Sequence, residues 1–420
     1  MFQRPRGTRD FAPDEMAKRQ WALDAMRRVA VSRGFREIQM PIFEDLELFT
    51  KKSGPGIVEE LYAFKDKGDR DIALRPEMTA QVMRFYVSDM ASLPKPIKIF
   101  YFGPCFRYEN PQSGRFREFF QFGAEIIGSS TPETDAEAVS LASSVIESMG
   151  LRNYVIRIGY IGILRGMLRS LKLPEEKISE GMHYLDKNDE ARFSSFSKEN
   201  KLPDDKVQRM KAIRNMRGGV EILDDLEECD AKGYLKEFMG YLSLLGVKDC
   251  KLDLGIVRGL DYYTGMVFEI DAPELGAEKQ VAGGGSYDLV PLFGGEQVFT
   301  TGFAIGFDRI LMAREKESQI EVDAGIDAYV VSMSDGSRKK AFEVVSALRK
   351  SGLSADFDIM RRSLSKNLKY AASIGARNAV IIGDKELAKG AATLRDMVSG
   401  DQKEISMASI ADAISSKKKN

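Results

Sequence analysis

The sequence contains a single histidine, His183, among its 420 residues. This scarcity excludes a zinc site of the H-E-x-x-H type and any histidine-rich metal cage, because both need more than one imidazole. Only His183 could serve a Ser-His-Asp triad, and it lies in the polar stretch GMHYLDKNDE, away from any nucleophile-elbow pattern. The simpler interpretation is a solvated surface histidine.

Cysteine is scarce too. Cys105, Cys229 and Cys250 show no C-x-x-C spacing, which fits a reduced cytosol and disfavours a zinc cluster.

No apolar run is long enough to predict a membrane-spanning helix, and the N-terminal MFQRPRGTRDF lacks the apolar region of a secretory signal. The P-loop pattern G-x-x-x-x-G-K-[ST] is missing, so any nucleotide site is of another kind. We expect a cytoplasmic protein that does not associate with membranes.

The charge of the chain is unevenly distributed. Composition is that of a soluble globular protein, with 43% hydrophobic and 30% charged residues and a net charge of −1. Residues 326–420, however, hold 17 Lys+Arg against 11 Asp+Glu, whereas the remainder holds 45 against 52. This asymmetry favours a C-terminal part that faces a polyanion. The alternative is a solvated lysine-rich tail, since Lys417–Lys419 supply half of the excess.

Apolar periodicity and turn residues predict a mostly antiparallel first domain. Residues 13–33 have the pattern of a helix that starts at Pro13 and closes at Gly34, and FREIQMPIF is a predicted strand ending near Pro41. PIKIFYFGPCFRYE and FREFFQFGAEIIG flank the turn-forming NPQSG, which indicates an antiparallel strand pair. Residues at about 165–245 are charged and helical in pattern, and we interpret them as an inserted helical module.

A different pattern begins at Ile326. Strand-like DAYVVSM, LSADFDI and NAVIIGD alternate with helix-like RKKAFEVVSALRKSG and SLSKNLKYAASIG, which predicts an α/β domain with largely parallel strands. The overall prediction is an α+β chain: a domain at residues 1–325 with an antiparallel sheet and flanking helices, interrupted by the helical insertion, and an α/β domain at residues 326–420.

Charged residues occur in the predicted strands where core positions should be apolar. Residues of one parity share a strand face, so Arg117, Phe119, Gln121 and Glu125 should line one surface. On composition alone, a solvated sheet face carrying ion pairs is the simpler alternative. Against it stands the number of arginines beside glycine-rich backbone, because guanidinium forks match phosphate and carboxylate oxygens. These arginines are Arg107, Arg115, Arg258 and Arg309.

The same stretches carry a family resemblance over the full length of the chain. RPRGTRDF, LRPEMTAQ, FRYENPQSGRFREFFQFGAEIIG, VRGLDYYTGMVFEI and GFAIGFDRI resemble histidyl-tRNA synthetases. FRYE and GFDR are similar to motifs 2 and 3 of class II synthetases generally, whereas RGLDYYTG and the GAE at 123–125 are similar to stretches peculiar to the histidine enzymes. One departure is the glycine loop GGGSYD, where Ser286 stands in place of the usual arginine and supplies no cation at that point.

The resemblance implies a class II fold with an anticodon-binding C-terminal domain, and specific residue roles. Arg107 and Arg258 would act at the α-phosphate. Glu109, Phe119, Arg115 and Arg309 would join Arg107 in binding ATP. The histidine site would comprise Glu77, Thr79, Arg107, Gln121, Glu125, Arg258, Tyr262 and Tyr263.

The implied activity is that of a histidine–tRNA ligase, which uses ATP to form histidyl-adenylate and then charges tRNA. Mg²⁺ is expected with the ATP, without a dedicated protein metal site, and the family implies a homodimer. One alternative is a catalytically silent paralogue that senses histidine; such paralogues lack the C-terminal domain. Another is a class II synthetase for a different amino acid, against which Glu125 and the RGLDYY stretch argue.

Overall fold

The computed structural model describes residues 2–53, 55–109, 115–256 and 263–418. The chain divides into a first unit, Met1–Ala12 with Lys18–Ile320, and a second unit, Glu321–Asn420 with Pro13–Ala17. Across the described ranges, no helix combines the length and apolar composition that a bilayer crossing requires.

The secondary structure up to the middle of the chain alternates short strands with helices. Its elements are α1 (Pro13–Ser32), β1 (Arg36–Glu37), β2 (Phe43–Asp45), α2 (Leu46–Ser53), β3 (Ala63–Lys65), β4 (Asp71–Leu74), α3 (Thr79–Phe85), β5 (Ile97–Phe106), β6 (Glu118–Ile127), α4 (Pro132–Ser148) and β7 (Val155–Tyr160). Then follow α5 (Ile161–Ser170), α6 (Glu175–Asp186), α7 (Glu190–Glu199), α8 (Asp204–Arg214), β8 (Arg217–Gly218), α9 (Asp230–Leu244), β9 (Cys250–Asp253), β10 (Tyr263–Asp271), β11 (Gln280–Tyr287), β12 (Thr300–Gly306) and α10 (Phe307–Glu317).

Helix α1 confirms the first predicted helix. Pro13 stands in its first turn, where the N–H that proline lacks would have no partner within the helix. Two acidic residues in the same turn interact favourably with the positive end of the helix dipole. The helix ends just before Gly34, whose φ of +79° breaks the helical path. Its buried side includes Ala22, Met26 and Ala30.

The large sheet of the first unit has the strand order β1-β5-β6-β12-β11-β10-β7-β9-β8. Its central strands, from β5 to β7, pair antiparallel. The predicted strand pair is confirmed: β5 and β6 run from Ile97 opposite Ile127 to Phe106 opposite Glu118. With its flanking helices, this sheet establishes the predicted α+β architecture.

Two strand predictions were wrong in extent. Within FREIQMPIF, only Arg36 and Glu37 form the short parallel edge strand β1, and Phe43 begins β2. Between them, the carbonyls of Met40 and Pro41 accept from the Arg75 side chain and not from a neighbouring strand. Arg107 and Glu109 follow β5, and Arg115 and Arg117 precede β6, so none of these four lies within the strand pair. One backbone bond, from Arg107 N–H to the Arg117 carbonyl at 3.0 Å, extends the pairing past the last strand residues.

The stretch at about 165–245 is mainly helical, as predicted. It contains most of α5 and all of α6 to α9. The short strand β8 also lies in it and pairs with β9 at the edge of the large sheet. Helix α9 packs against α4. His183 is exposed on α6, which confirms the surface interpretation.

The second unit contains β13 (Ala328–Ser332), α11 (Asp335–Lys350), β14 (Ala355–Phe357), α12 (Leu364–Ser373), β15 (Asn378–Ile382), α13 (Asp384–Ala388), β16 (Ala391–Asp396), β17 (Gln402–Ser406) and α14 (Ile410–Lys418). Strands β14, β13 and β15 are parallel, as the alternating pattern predicts. The two strands that the sequence pattern missed, β16 and β17, add antiparallel at one side. Both predicted helices are present.

Candidate active site

A pocket of about 510 Å³ opens on one face of the first unit's sheet. All of the predicted site residues that the structure describes line it: Glu77, Thr79, Arg107, Glu109, Arg115, Phe119, Gln121, Glu125, Tyr263 and Arg309. Arg258 and Tyr262 lie outside the described residues. Phe119, Gln121 and Glu125 alternate along β6, as the parity argument predicts. Arg117 does not join them; its guanidinium lies over the Tyr108 ring, 4.0 Å from the centroid.

Glu125 is a buried carboxylate held between two tyrosines. Tyr101 donates its hydroxyl hydrogen to Oε1 at 2.9 Å, and Tyr287 donates to Oε2 at 2.5 Å. Gly302 lies opposite on β12, and a Cβ there would stand 1.3 Å from Oε2, so only glycine leaves room for this side chain. Burial, together with the neighbouring carboxylate, raises the pKa of Tyr101 well above its usual value and keeps its phenol a donor.

Two arginines and a carboxylate stand close together at the more open part of the pocket. Arg107 donates from Nε to the Pro76 carbonyl at 3.0 Å, which fixes the direction of its guanidinium. The guanidinium lies 3.8 Å from a Glu109 oxygen and 5.3 Å from the centre of the Phe119 ring. Arg115 contacts the other Glu109 oxygen at 3.4 Å. Such an array suits a planar, polyanionic ligand.

A second polar group of the pocket surrounds the start of α3. The Glu77 carboxylate accepts from the backbone N–H groups of Thr79 and Ala80 at 2.7 and 3.1 Å, so the helix end holds it in place. Gln121 Oε1 accepts from the Cys105 thiol at 3.3 Å. Burial raises the pKa of Cys105 to about 12, so the thiol stays protonated and remains a donor.

Sequence reasoning missed Asp308, which lines the pocket beside Arg309. This buried carboxylate forms an ion pair with Arg9 at 2.8 Å, and it accepts hydrogen bonds from Arg19 at 2.6 Å and from the Phe120 backbone N–H at 2.9 Å. The bonds fix the first turn of α10 against β6. A charged residue in the apolar stretch IGFDRI was the available signal, as it was for Arg309.

The sequence also did not indicate Tyr101 and Tyr287 as pocket residues. Tyr101 lies on β5 among apolar neighbours and has the pattern of a core residue. Tyr287 follows Ser286 directly. No signal in a single sequence separates such tyrosines from ordinary core aromatics, because the distinction rests on which carboxylate each hydroxyl reaches.

The expectation of a glycine loop at GGGSYD was wrong, because the first five of these residues, 283–287, lie within strand β11. A Cβ at Gly284 would stand 2.1 Å from the Gly302 carbonyl oxygen, so glycine permits close strand approach here. Ser286 is on the face opposite to Tyr287. Its hydroxyl donates to Asp135 on α4 at 2.6 Å, so a cation at this position would not point into the pocket.

An antiparallel sheet that presents arginines and carboxylates into one pocket, closed by a strand–helix unit carrying Asp308 and Arg309, defines a class II synthetase-type catalytic domain. A family model described as histidyl-tRNA synthetase matches residues 7–310, and one described as anticodon binding domain matches residues 327–417. The chain belongs to the histidyl-tRNA synthetase family.

Individual relatives match along nearly the whole chain. It is 44% identical to the histidine–tRNA ligase of Archaeoglobus fulgidus over 96% of both chains. Identity to that of Methanosarcina acetivorans is 44% over 98% of both. Among solved structures, the histidyl-tRNA synthetase from Nostoc sp. PCC 7120 is similar with a TM-score of 0.81 at 26% identity, covering 99% of each chain.

Proposed function

We propose that this chain is a histidine–tRNA ligase that forms histidyl-adenylate from histidine and ATP and transfers histidine to the 3′ end of its tRNA. The observation that carries the proposal is the buried Glu125 carboxylate, oriented by two tyrosines, in the same pocket as the Arg107–Glu109–Arg115 group. A fixed acceptor for an imidazole N–H thus shares one pocket with cations suited to ATP. Family membership supports the same assignment.

The first step needs positioning and electrostatics more than covalent participation by the protein. A histidine carboxylate oxygen attacks the α-phosphorus, the bond to the bridging oxygen breaks, and pyrophosphate leaves with the electron pair. Arg107, fixed by the Pro76 carbonyl, would hold the α-phosphate and the attacking carboxylate. Negative charge grows on the phosphate oxygens as the reaction proceeds, so a fixed guanidinium stabilises the transition state more than the ground state.

We assign the remaining pocket residues to the two substrates. Glu109 would accept from the adenine amino group, Phe119 would stack on the ring, and Arg115 and Arg309 would bind the outer phosphates. On the other side, Glu77, Thr79 and Gln121 would surround the α-ammonium group. Glu125 would accept from the imidazole N–H while Tyr263 donates to the second ring nitrogen.

Mg²⁺ would accompany ATP in this proposal. Across the described ranges, no three histidine, cysteine or acidic side chains cluster as a metal cage. We expect the ion to be bound chiefly through phosphate oxygens and water, as Mg²⁺ usually is in nucleotide sites, where it neutralises phosphate charge. A homodimer and a cytoplasmic location belong to the same proposal and rest on family membership alone.

The decisive test is pyrophosphate exchange by the purified chain with each of the twenty amino acids in turn. We expect ATP–pyrophosphate exchange with histidine alone. Exchange with another amino acid would point to a different synthetase. No exchange with any, combined with histidine binding, would favour the catalytically silent paralogue. The presence of the second domain, matched over residues 327–417, argues against that paralogue.

We place the catalytic domain at residues 1–325, with the helical module at about 165–245, and an anticodon-binding domain at 326–420. The division between units at Ile320 and the family matches support these limits. In the second unit, β13, β14 and β15 are parallel, so their carboxyl ends share one edge, where α/β sheets commonly bind ligands.

The loop after β14 is the strongest candidate for the anticodon contact at this edge. Ile359 and Met360 are 75% and 66% exposed, next to Arg361 and Arg362. Asp358 holds the loop by accepting from the Met360 and Arg362 backbone N–H groups at 2.9 and 2.7 Å. Burial opposes ionisation of Asp358, but these bonds, that from Asn367 and the Arg362 charge outweigh it and lower its pKa. The exposed Ile359, Met360 and Arg361 on this hydrogen-bonded loop suit unstacked anticodon bases and their phosphates.

Truncation after Ile320 tests the role of the second unit. We expect the shortened chain to make histidyl-adenylate but to charge tRNA poorly, chiefly through a raised KM for tRNA, because every residue assigned to adenylate chemistry precedes Arg314. The full-length parent is the reference, and the oligomeric state of both proteins must be measured alongside. A truncated protein in the parental oligomeric state that charges tRNA with parental rate and KM would contradict an anticodon-binding role.

A further inference from the structure

A buried carboxylate outside the pocket joins two helices to the sheet. Asp135, in the first turn of α4, is 1% exposed. One of its oxygens accepts from Ser286 at 2.6 Å and from Tyr234, and the other accepts from Thr301. We call these four residues, Asp135, Tyr234, Ser286 and Thr301, the hydroxyl network. Its members come from α4, α9, β11 and β12.

The hydroxyl network directly adjoins the residues that hold Glu125. Ser286 and Thr301 lie opposite each other in the β11–β12 ladder, and the neighbouring register pairs contain Tyr287 and Gly302. Tyr287 and Gly302 face the pocket, where Tyr287 bonds Glu125 Oε2 and Gly302 leaves the space that this oxygen occupies. A shift of β11 along β12 would therefore change the distance between the Tyr287 hydroxyl and Glu125.

Burying the Asp135 carboxylate costs free energy, which argues that the geometry of the network matters. Its three described partners for Asp135 are all hydroxyls, and none brings a compensating positive charge. Burial raises the pKa of Asp135, while the three hydroxyl bonds oppose that rise. The position at the start of α4 also favours a negative charge through the helix dipole. A buried carboxylate with this many oriented donors holds them in one arrangement.

We infer that the hydroxyl network positions the imidazole-binding wall of the pocket, with α9 of the helical stretch contributing through Tyr234. Its members are positioning residues, because they act on the substrate only through Tyr287, Gly302 and Glu125. The inference rests on the proposed histidine specificity and deepens it: the wall that selects the amino acid is braced from the opposite side of the sheet by α4 and α9.

Two tyrosines of α9 provide a matched test. Tyr234 bonds Asp135 in the network, whereas Tyr241 bonds Glu133 on the same helix α4 but at an exposed position away from the sheet. Tyr234→Phe and Tyr241→Phe each remove one hydroxyl from the same helix pair. We expect Tyr234→Phe to raise the KM for histidine about threefold to twentyfold and to leave the KM for ATP within about twofold of the parent. Tyr241→Phe should change neither.

Thr301 separates hydrogen bonding from packing. Thr301→Val keeps the shape and removes the hydroxyl, while Thr301→Ser keeps the hydroxyl and removes a methyl group. We expect the histidine KM to rise more in Thr301→Val than in Thr301→Ser, although the serine variant leaves the larger void. The opposite order would show that packing, not the network, matters at this position and would overturn the inference.

Pyrophosphate exchange and melting temperature should be measured for all four variants and the parent. If the parent shows no histidine-dependent exchange, the proposed function fails. If the parent is active and Tyr234→Phe matches Tyr241→Phe in histidine KM, or raises both substrate KM values equally, the positioning inference fails while the proposed function stands. A lower melting temperature with unchanged KM values would likewise assign the network to stability alone.

Discussion

Replacing Arg107 with alanine is expected to slow histidyl-adenylate formation by about 10²–10³-fold, or ~3–4 kcal/mol of transition-state stabilisation, because it removes a fixed donor from the site of developing charge. The bond from its Nε to the Pro76 carbonyl means that the guanidinium is oriented before substrates arrive. Single-turnover adenylate formation at saturating histidine and ATP measures the effect directly. The fold-decrease in the rate of adenylate formation should exceed any fold-change in the affinity for histidine.

Arg33→Ala is the matched control for this variant. The Arg33 side chain is also partly buried and bonds Ser140 and Ser144 on α4, outside the pocket. The Arg33→Ala variant should therefore form histidyl-adenylate at close to the parental rate. Arg107→Lys adds a graded test, since lysine keeps the charge but not the forked donor geometry. Adenylate formation by Arg107→Ala within a few-fold of the parent would rule out the catalytic role, and a collapse in melting temperature would show that Arg107 is mainly structural.

Replacing Glu125 with glutamine is expected to raise the KM for histidine about 10- to 100-fold, because a hydrogen bond to a buried charged group is lost and two tyrosine donors face an amide. Tyr101 and Tyr287 both donate to this carboxylate, so an amide NH₂ group on either side would meet a donor. The KM for ATP should stay near the parental value. Steady-state pyrophosphate exchange with each substrate varied in turn gives both constants.

Glu269→Gln is the corresponding control. Glu269 lies on β10 of the same sheet and bonds Arg157 at 2.6 Å, outside the described lining of the pocket. It tests whether neutralising any carboxylate of the sheet impairs histidine use. Should Glu125→Gln weaken histidine and ATP equally, Glu125 would be holding the fold and not selecting the amino acid. A polar pocket of this kind discriminates strongly enough to require no editing activity.

Local sequence pattern was sufficient to predict the elements whose conformation depends mainly on their own residues. Pro13 and Gly34 bound α1, and the β5–β6 pair follows from two apolar segments around a turn. Local pattern failed where neighbours decide. The glycines before Ser286 suggested a loop, yet they lie in β11 because they pair with β10 and β12, and glycine at position 284 lets β12 approach closely. The sequence pattern also missed β16 and β17, because these segments are strands chiefly through their pairing with neighbouring strands.

The sequence by itself determined the family, the α+β architecture and the residue types of the pocket, because charged side chains in apolar stretches and the family motifs are local features. The tertiary structure alone decided which of these residues meet. It brings Tyr101 and Tyr287 to Glu125, and it turns Ser286 away from the pocket toward Asp135. The physical reason is strand register: alternation along a strand fixes which residues share a face, but only pairing between strands decides which hydroxyl reaches which carboxylate.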